Sequence, residues 1–157
     1  MQRFRRALIV VRIFAVAAVL LACAADADAA HCSISTTPVS FGTYNVFATA
    51  PTDSTGTIVY NCNGGARNVL ITISRGNSPT FAPRVMLQGT EPLPYNLFRD
   101  AARTSIWGDG TGGSGLYIDL NPPNNTDISV TVFGRVPTGQ DVSAGIYSDT
   151  VTVTINY

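Results

Sequence analysis

Gly145-Ile146-Tyr147-Ser148-Asp149-Thr150-Val151-Thr152-Val153-Thr154-Ile155-Asn156-Tyr157 closes the sequence with an alternation of apolar and polar residues. A period of two belongs to a β-strand with one buried and one wet face. Val151, Val153 and Ile155 fall on one face with Tyr157, while Thr150, Thr152, Thr154 and Asn156 fall on the other. All of these types except Asn favour a pleated, half-buried surface. No residue follows to supply a second neighbour, so one backbone edge of this strand is expected to depend on an earlier strand or on another molecule.

The same period recurs upstream. Residues 33–37 alternate, break at Pro38 and resume through Val39 and Phe41, and because proline has no N–H this first strand belongs at an edge or changes partners there. Residues 55–63 put Ile58, Tyr60 and Cys62 on one face, and residues 68–74 do the same with Val69, Ile71 and Ile73. Shorter strands are expected at 84–89, 92–99, 106–107, 116–120 and 128–132. Asn63-Gly64-Gly65, Gly76-Asn77-Ser78-Pro79, the glycine-rich run 108–115 and Asn121-Pro122-Pro123 punctuate them as turns. No stretch of helical period competes after residue 30. About eight short strands with turn signals between them predict an all-β chain, an antiparallel β-sandwich of immunoglobulin-like type.

A length of 157 residues permits one domain with a real core. Charged residues make up only 13% of the chain, there is no lysine, and ten arginines face ten acids. No basic patch stands out that could neutralise a nucleic-acid backbone, so nucleic acid is not an expected partner.

The first 29 residues read as a leader rather than as part of the fold. Arg3, Arg5 and Arg6 precede an apolar run over 7–22 interrupted by Arg12, and Ala27-Asp28-Ala29 supplies a small-residue cleavage pattern. This predicts a signal peptide over 1–29 and a single domain over 30–157. A membrane anchor is the competing reading, but the apolar run after Arg12 is shorter than the roughly 20 residues a span needs. Leu20-Leu21-Ala22-Cys23 also resembles a bacterial lipobox, which would make Cys23 a lipid-anchored first residue. Cleavage after Ala29 leaves six arginines against eight acids, a net charge of −2.

Cys32 and Cys62 then remain as an even pair in an exported chain, which predicts one disulfide. Two thiols with one neighbouring histidine, His31, fall short of a tetrahedral metal site. The same histidine is the only one in the chain and lies near the expected mature terminus, so no held base exists for a nucleophilic triad. Asp109, Asp119 and Asp127 match no EF-hand spacing and sit where turn residues are common. The 108–115 run lacks the lysine of a phosphate cradle. Phe98, Trp107 and Tyr117 are candidates for an aromatic ligand platform, although core or edge packing is the commoner fate of such residues. Neither an enzyme nor a cofactor is expected.

Several ordered features resemble one known family: Cys32 near the mature terminus, Cys62 ending the second strand, Tyr95-Asn96-Leu97-Phe98-Arg99-Asp100-Ala101-Ala102-Arg103, Phe133-Gly134-Arg135-Val136, and Gly145-x-Tyr147-x-Asp149 opening the last strand. Together they are similar to the spore coat protein U domain family, which includes the subunits of archaic, Csu-type chaperone-usher pili. The resemblance covers essentially the whole mature chain. It implies an incomplete sandwich whose missing last strand is lent first by a periplasmic chaperone and then by a neighbouring pilus or coat subunit. It also implies export through the periplasm, delivery to an outer-membrane usher, and a place in a surface fibre or cell coat. On this reading Ile34, Val39 and Phe41 on one side, and Val151, Val153, Ile155 and Tyr157 on the other, are expected to border the donor-strand groove.

One departure bears on the role. The donor segment of polymerising members is an alternating apolar stretch before the first cysteine, whereas cleavage after Ala29 leaves only Ala30 and His31 there. The expected role is therefore that of a strand acceptor, capping a fibre or acting outside one. A self-contained secreted module that binds a surface, through carbohydrate or adhesion contacts, is the alternative of a different class.

Overall fold

The computed structural model describes residues 29–157. The leader up to residue 28, with Cys23, lies outside the described residues. Eight strands follow in order: β1 (His31–Thr37), β2 (Thr52–Asn63), β3 (Val69–Ile73), β4 (Arg84–Gln88), β5 (Glu91–Phe98), β6 (Tyr117–Asp119), β7 (Ile128–Val136) and β8 (Val153–Asn156). They form a five-stranded sheet in the order β1-β2-β7-β5-β4 and a three-stranded sheet in the order β6-β3-β8. Every pairing between these strands is antiparallel. The result is an immunoglobulin-like β-sandwich, as the alternating runs predict.

The period-two pattern explains the core directly. Ile58, Tyr60 and Cys62 of β2, Val132 and Val136 of β7, and Leu93, Tyr95 and Leu97 of β5 are buried against Val69, Ile71 and Ile73 of β3. Trp107 is fully buried beside them, and its indole N–H donates to the Ile71 carbonyl at 2.9 Å. Tyr117 packs against it at a centroid distance of 6.1 Å. The aromatic-platform reading thus gives way to core packing at Trp107.

Four boundaries differ from the sequence reading. β2 begins at Thr52 rather than near Thr55, because Asp53 is held across the sheet by a two-pronged bond from Arg135 at 2.7 and 2.8 Å. That guanidinium keeps the Asp53 carboxyl below the usual carboxylate range. β7 runs on through Gly134 to Val136, and residues 106–107 make only isolated bridges. The closing strand is confined to Val153–Asn156. Before it, the chain crosses between the sheets: Ser148 bonds both ways with Leu87 of β4 at 2.8 and 3.1 Å, and the Ser74 N–H at the end of β3 donates to the Thr152 carbonyl at 2.9 Å. Asp149 fixes the crossing by accepting from the Tyr95 hydroxyl at 2.7 Å and the Asn77 N–H at 2.9 Å. Those two bonds take the carboxylate out of the strand pattern that its sequence neighbours follow.

Cys32 and Cys62 are bonded to each other, with Cα atoms 4.1 Å apart. In a chain-entropy treatment a loop of this size stabilises the fold by roughly 3 to 4 kcal/mol. Replacing both cysteines by alanine is expected to lower the urea midpoint by an amount that converts to a loss in this range. A double variant with an unchanged midpoint would show that the bond does not constrain the unfolded chain.

Candidate functional site

The segment that follows Thr36 and the segment that leads into β8 face one another across a groove of about 1200 Å³. Its first wall is residues 36–41. From the last two residues of β1 onward this stretch crosses the inner face of the five-stranded sheet. Two strand glycines make room for the crossing: a Cβ on Gly56 would stand 2.6 Å from the Thr37 carbonyl oxygen, and one on Gly134 would stand 2.6 Å from a Val39 methyl and 2.8 Å from the Phe41 ring. A glycine inside a strand commonly marks such a close approach. Phe41 then meets Tyr95 edge-on, with centroids 5.9 Å apart.

The second wall is residues 147–151 with Val153 at the start of β8, and the floor is built from Ile58, Met86, Leu93, Leu97 and Val132. Along an antiparallel strand the N–H and C=O of one residue point to the same side, and successive residues alternate. Ser74 donates to Thr152, while Ile73 directs its N–H away from β8 to the Gly108 carbonyl at 3.2 Å. Thr154 and Asn156, paired with Thr72 and Leu70, therefore bond to β3. Val153 and Ile155 aim their backbone groups the other way, and among the described residues no strand pairs with them. Val153 thus offers the groove both an apolar side chain and an open main-chain donor and acceptor.

Tyr44, which lines the groove, ties its loop to the loop that follows β7. The Tyr44 hydroxyl donates to the Pro137 carbonyl at 2.9 Å and accepts from the Gln140 N–H at 3.1 Å. Phe47 and Ile146 project from these loops with 90% and 88% of their surface exposed.

Of the residues expected to border a groove, Val39, Phe41, Val151 and Val153 line it. Ile34 and Ile155 are half-buried against the core outside it, and Tyr157 is 50% exposed. The sequence reading missed the floor and the role of Asp149. Burial, and then the bond to Asp149, push the Tyr95 phenol up, so Tyr95 remains a neutral donor to that carboxylate. Gly56 and Gly134 were the available signal, each a glycine inside a run of strand formers.

Among the described residues no three His, Cys, Asp or Glu side chains gather where a metal could sit, and no helix is long and apolar enough to cross a membrane. What the groove offers is apolar contact and main-chain pairing side by side.

Comparison with known proteins agrees with this architecture. The chain is 42% identical over 69 residues to Protein U of Myxococcus xanthus, an alignment covering 43% of this chain and 36% of that protein. Its fold is similar to a chain in the crystal structure of the CsuC-CsuE chaperone-tip adhesion subunit pre-assembly complex from archaic chaperone-usher Csu pili of Acinetobacter baumannii. That match has a TM-score of 0.57 and 25% identity, and covers 82% of this chain and 40% of the other. The chain therefore spans well under half the length of either relative. Residues 17–154 match the Spore Coat Protein U domain, and the chain belongs to that family.

Proposed function

We propose that this chain is a structural subunit of an extracellular fibre or cell coat, exported through the periplasm by a chaperone-usher route. A strand from a periplasmic chaperone, and then one from a neighbouring pilus or coat subunit, fills the groove; an outer-membrane usher exchanges the two. The observation that carries this reading is the groove itself, where the open backbone edge of β8 runs along an apolar floor. A donor strand with alternating large apolar residues would bury them on that floor and pair with Val153 and Ile155. Each well-buried donor side chain contributes roughly 1.5 to 3 kcal/mol before ordering costs, so a few make release slow. In this reading the mature protein begins at Ala30 and carries no lipid on Cys23. With two residues ahead of Cys32 it has no segment long enough to fill a neighbour's groove, so it accepts a strand without lending one.

Periplasmic expression with and without a chaperone from the same chaperone-usher set tests this. The expected result is aggregation or degradation of the chain alone, and a soluble one-to-one complex when the chaperone is present. A stable monomer without any chaperone would sink the proposal and leave the self-contained surface-binding module as the better reading.

A further inference from the structure

The walls and floor of the groove carry a single charge. Among the described residues that line it, Asp149 is the one Asp, Glu, Lys, Arg or His. It stands two residues ahead of Val151 and four ahead of Val153, and all three line the same wall. At roughly 3.3 Å per residue, a strand that pairs with Val153 and runs on along that wall comes abreast of Asp149 about 13 Å further on.

The carboxylate is held in place without being neutralised. Oδ2 accepts from the Tyr95 hydroxyl at 2.7 Å and Oδ1 from the Asn77 N–H at 2.9 Å. Gly76 leaves it room, since a Cβ there would overlap the carboxylate. Both donors are uncharged, and they occupy two of the roughly four acceptor sites a carboxylate has. Among the described residues the arginine ion pairs are both to Asp53. Arg84 gives its N–H groups to the carbonyls of Ser74, Ile73 and Trp107 and to the Asn96 side-chain oxygen instead. Asp149 is half-buried, so its remaining sites are open to water. A wholly apolar strand would strip that water and leave the charge without compensation, whereas a cation at the same place replaces the water and gains an opposite-charge cross-strand pair.

We propose that Asp149 determines which strand the groove accepts and in what register, by selecting a donor with lysine or arginine at the end that lies beside residues 147–149 and apolar side chains along the rest. This deepens the strand-acceptor reading and rests on it. The apolar floor and the open backbone of Val153 cannot set the register alone, because a shift of two residues returns the same face of an alternating strand to the floor. One fixed charge at one end tells those registers apart, and it works by penalising the wrong ones as well as favouring the right one.

Displacement of the chaperone from its one-to-one complex by synthetic peptides tests this. The peptides are strands of about nine alternating leucine and threonine residues, in which one leucine at a time is replaced by lysine, methionine or glutamate. At one end position lysine should displace the chaperone about fivefold better than methionine, and glutamate should fall behind methionine by a similar factor. At the middle positions, over the apolar floor, lysine should be the worse of the two. Asp149→Asn keeps an oxygen for the Tyr95 hydroxyl but removes the charge, and should put methionine ahead of lysine at every position. In the wild type the lysine preference should shrink when salt is raised from about 0.05 M to about 1 M, a readout that does not depend on the variant folding. A wild type without a lysine preference at any position overturns the proposal, as does a preference that survives in Asp149→Asn or is indifferent to salt. If methionine peptides displace the chaperone and lysine peptides gain nothing, only the role of Asp149 falls. If no complex forms, or no peptide of any composition displaces the chaperone, the strand-acceptor reading fails and this proposal fails with it.

Discussion

Val153→Asp is expected to abolish capture of the chain by a strand-donating chaperone. The residue lines the groove, packs against the core, and turns its backbone groups toward the gap. An occupying strand would cover it, so the substitution removes the burial of a valine and puts an unpaired carboxylate where water is excluded. Losing the side chain costs about 1.5 to 3 kcal/mol, and burying the charge costs several more. A combined loss of about 4 kcal/mol or more weakens capture roughly a thousandfold. Thr154→Asp is the matched control, since Thr154 is exposed and its backbone is engaged with β3. Coexpression and copurification should recover the complex for Thr154→Asp and not for Val153→Asp. Equal recovery of the two would falsify the assignment of β8 as the acceptor edge.

The second large effect is expected at Arg84, which is fully buried on β4. Its guanidinium donates to the carbonyls of Ser74 at 3.0 Å, Ile73 at 3.3 Å and Trp107 at 2.6 Å, and to the Asn96 side-chain oxygen at 2.9 Å. Phe81 lies under it with the ring centroid 5.2 Å away. Burial lowers its pKa, yet no carboxylate among the described residues is paired with it. Three backbone carbonyls from two separate segments thus share one planar cation, which binds the end of β3 and the Trp107 segment to the other sheet. Arg84→Met keeps the stem and leaves those acceptors unsatisfied in the core, for an expected loss of about 3 to 5 kcal/mol. Arg84→Lys should recover only part of this, because one compact ammonium cannot reach acceptors spread around a fork. Denaturant titration of the complemented subunit measures both. A loss below about 1 kcal/mol for Arg84→Met would show that water or local rearrangement satisfies the carbonyls.

These two sites mark where reading from sequence succeeds and where it stops. Val153 was legible because burial on one face of a strand writes a period of two into the residues themselves, and the same pattern gave β2, β3 and β5 to within a few residues. Arg84 was not. Its neighbours Val85, Met86 and Leu87 announce a strand, but a lone arginine reads as surface unless the three carbonyls that converge on it are known, and those come from residues 73, 74 and 107. The strand expected over 128–132 stops short of where β7 ends, at Val136, because what Gly134 makes room for, Val39 and Phe41, is distant in sequence and packed against it. Asp149 looked like one more position in an alternating strand, and only its bonds to Tyr95 and Asn77 explain why regular pairing begins later, at Val153. Local periodicity is carried by neighbours in the chain, whereas buried polar clamps and close backbone crossings are properties of contacts that the chain order does not record.

The position of the Cys32–Cys62 bond has a mechanical consequence. The bond joins the start of β1 to the end of β2. On the acceptor reading a load enters through the strand held in the groove, against the wall that carries Val39 and Phe41. β1, the segment that crosses Gly56 and Gly134, and β2 up to Cys62 all lie within one closed covalent loop, so that wall is tethered at both of its ends to the same sulfur bridge. A pull on the wall is shared between the two arms of the loop rather than unzipping β1 from one end.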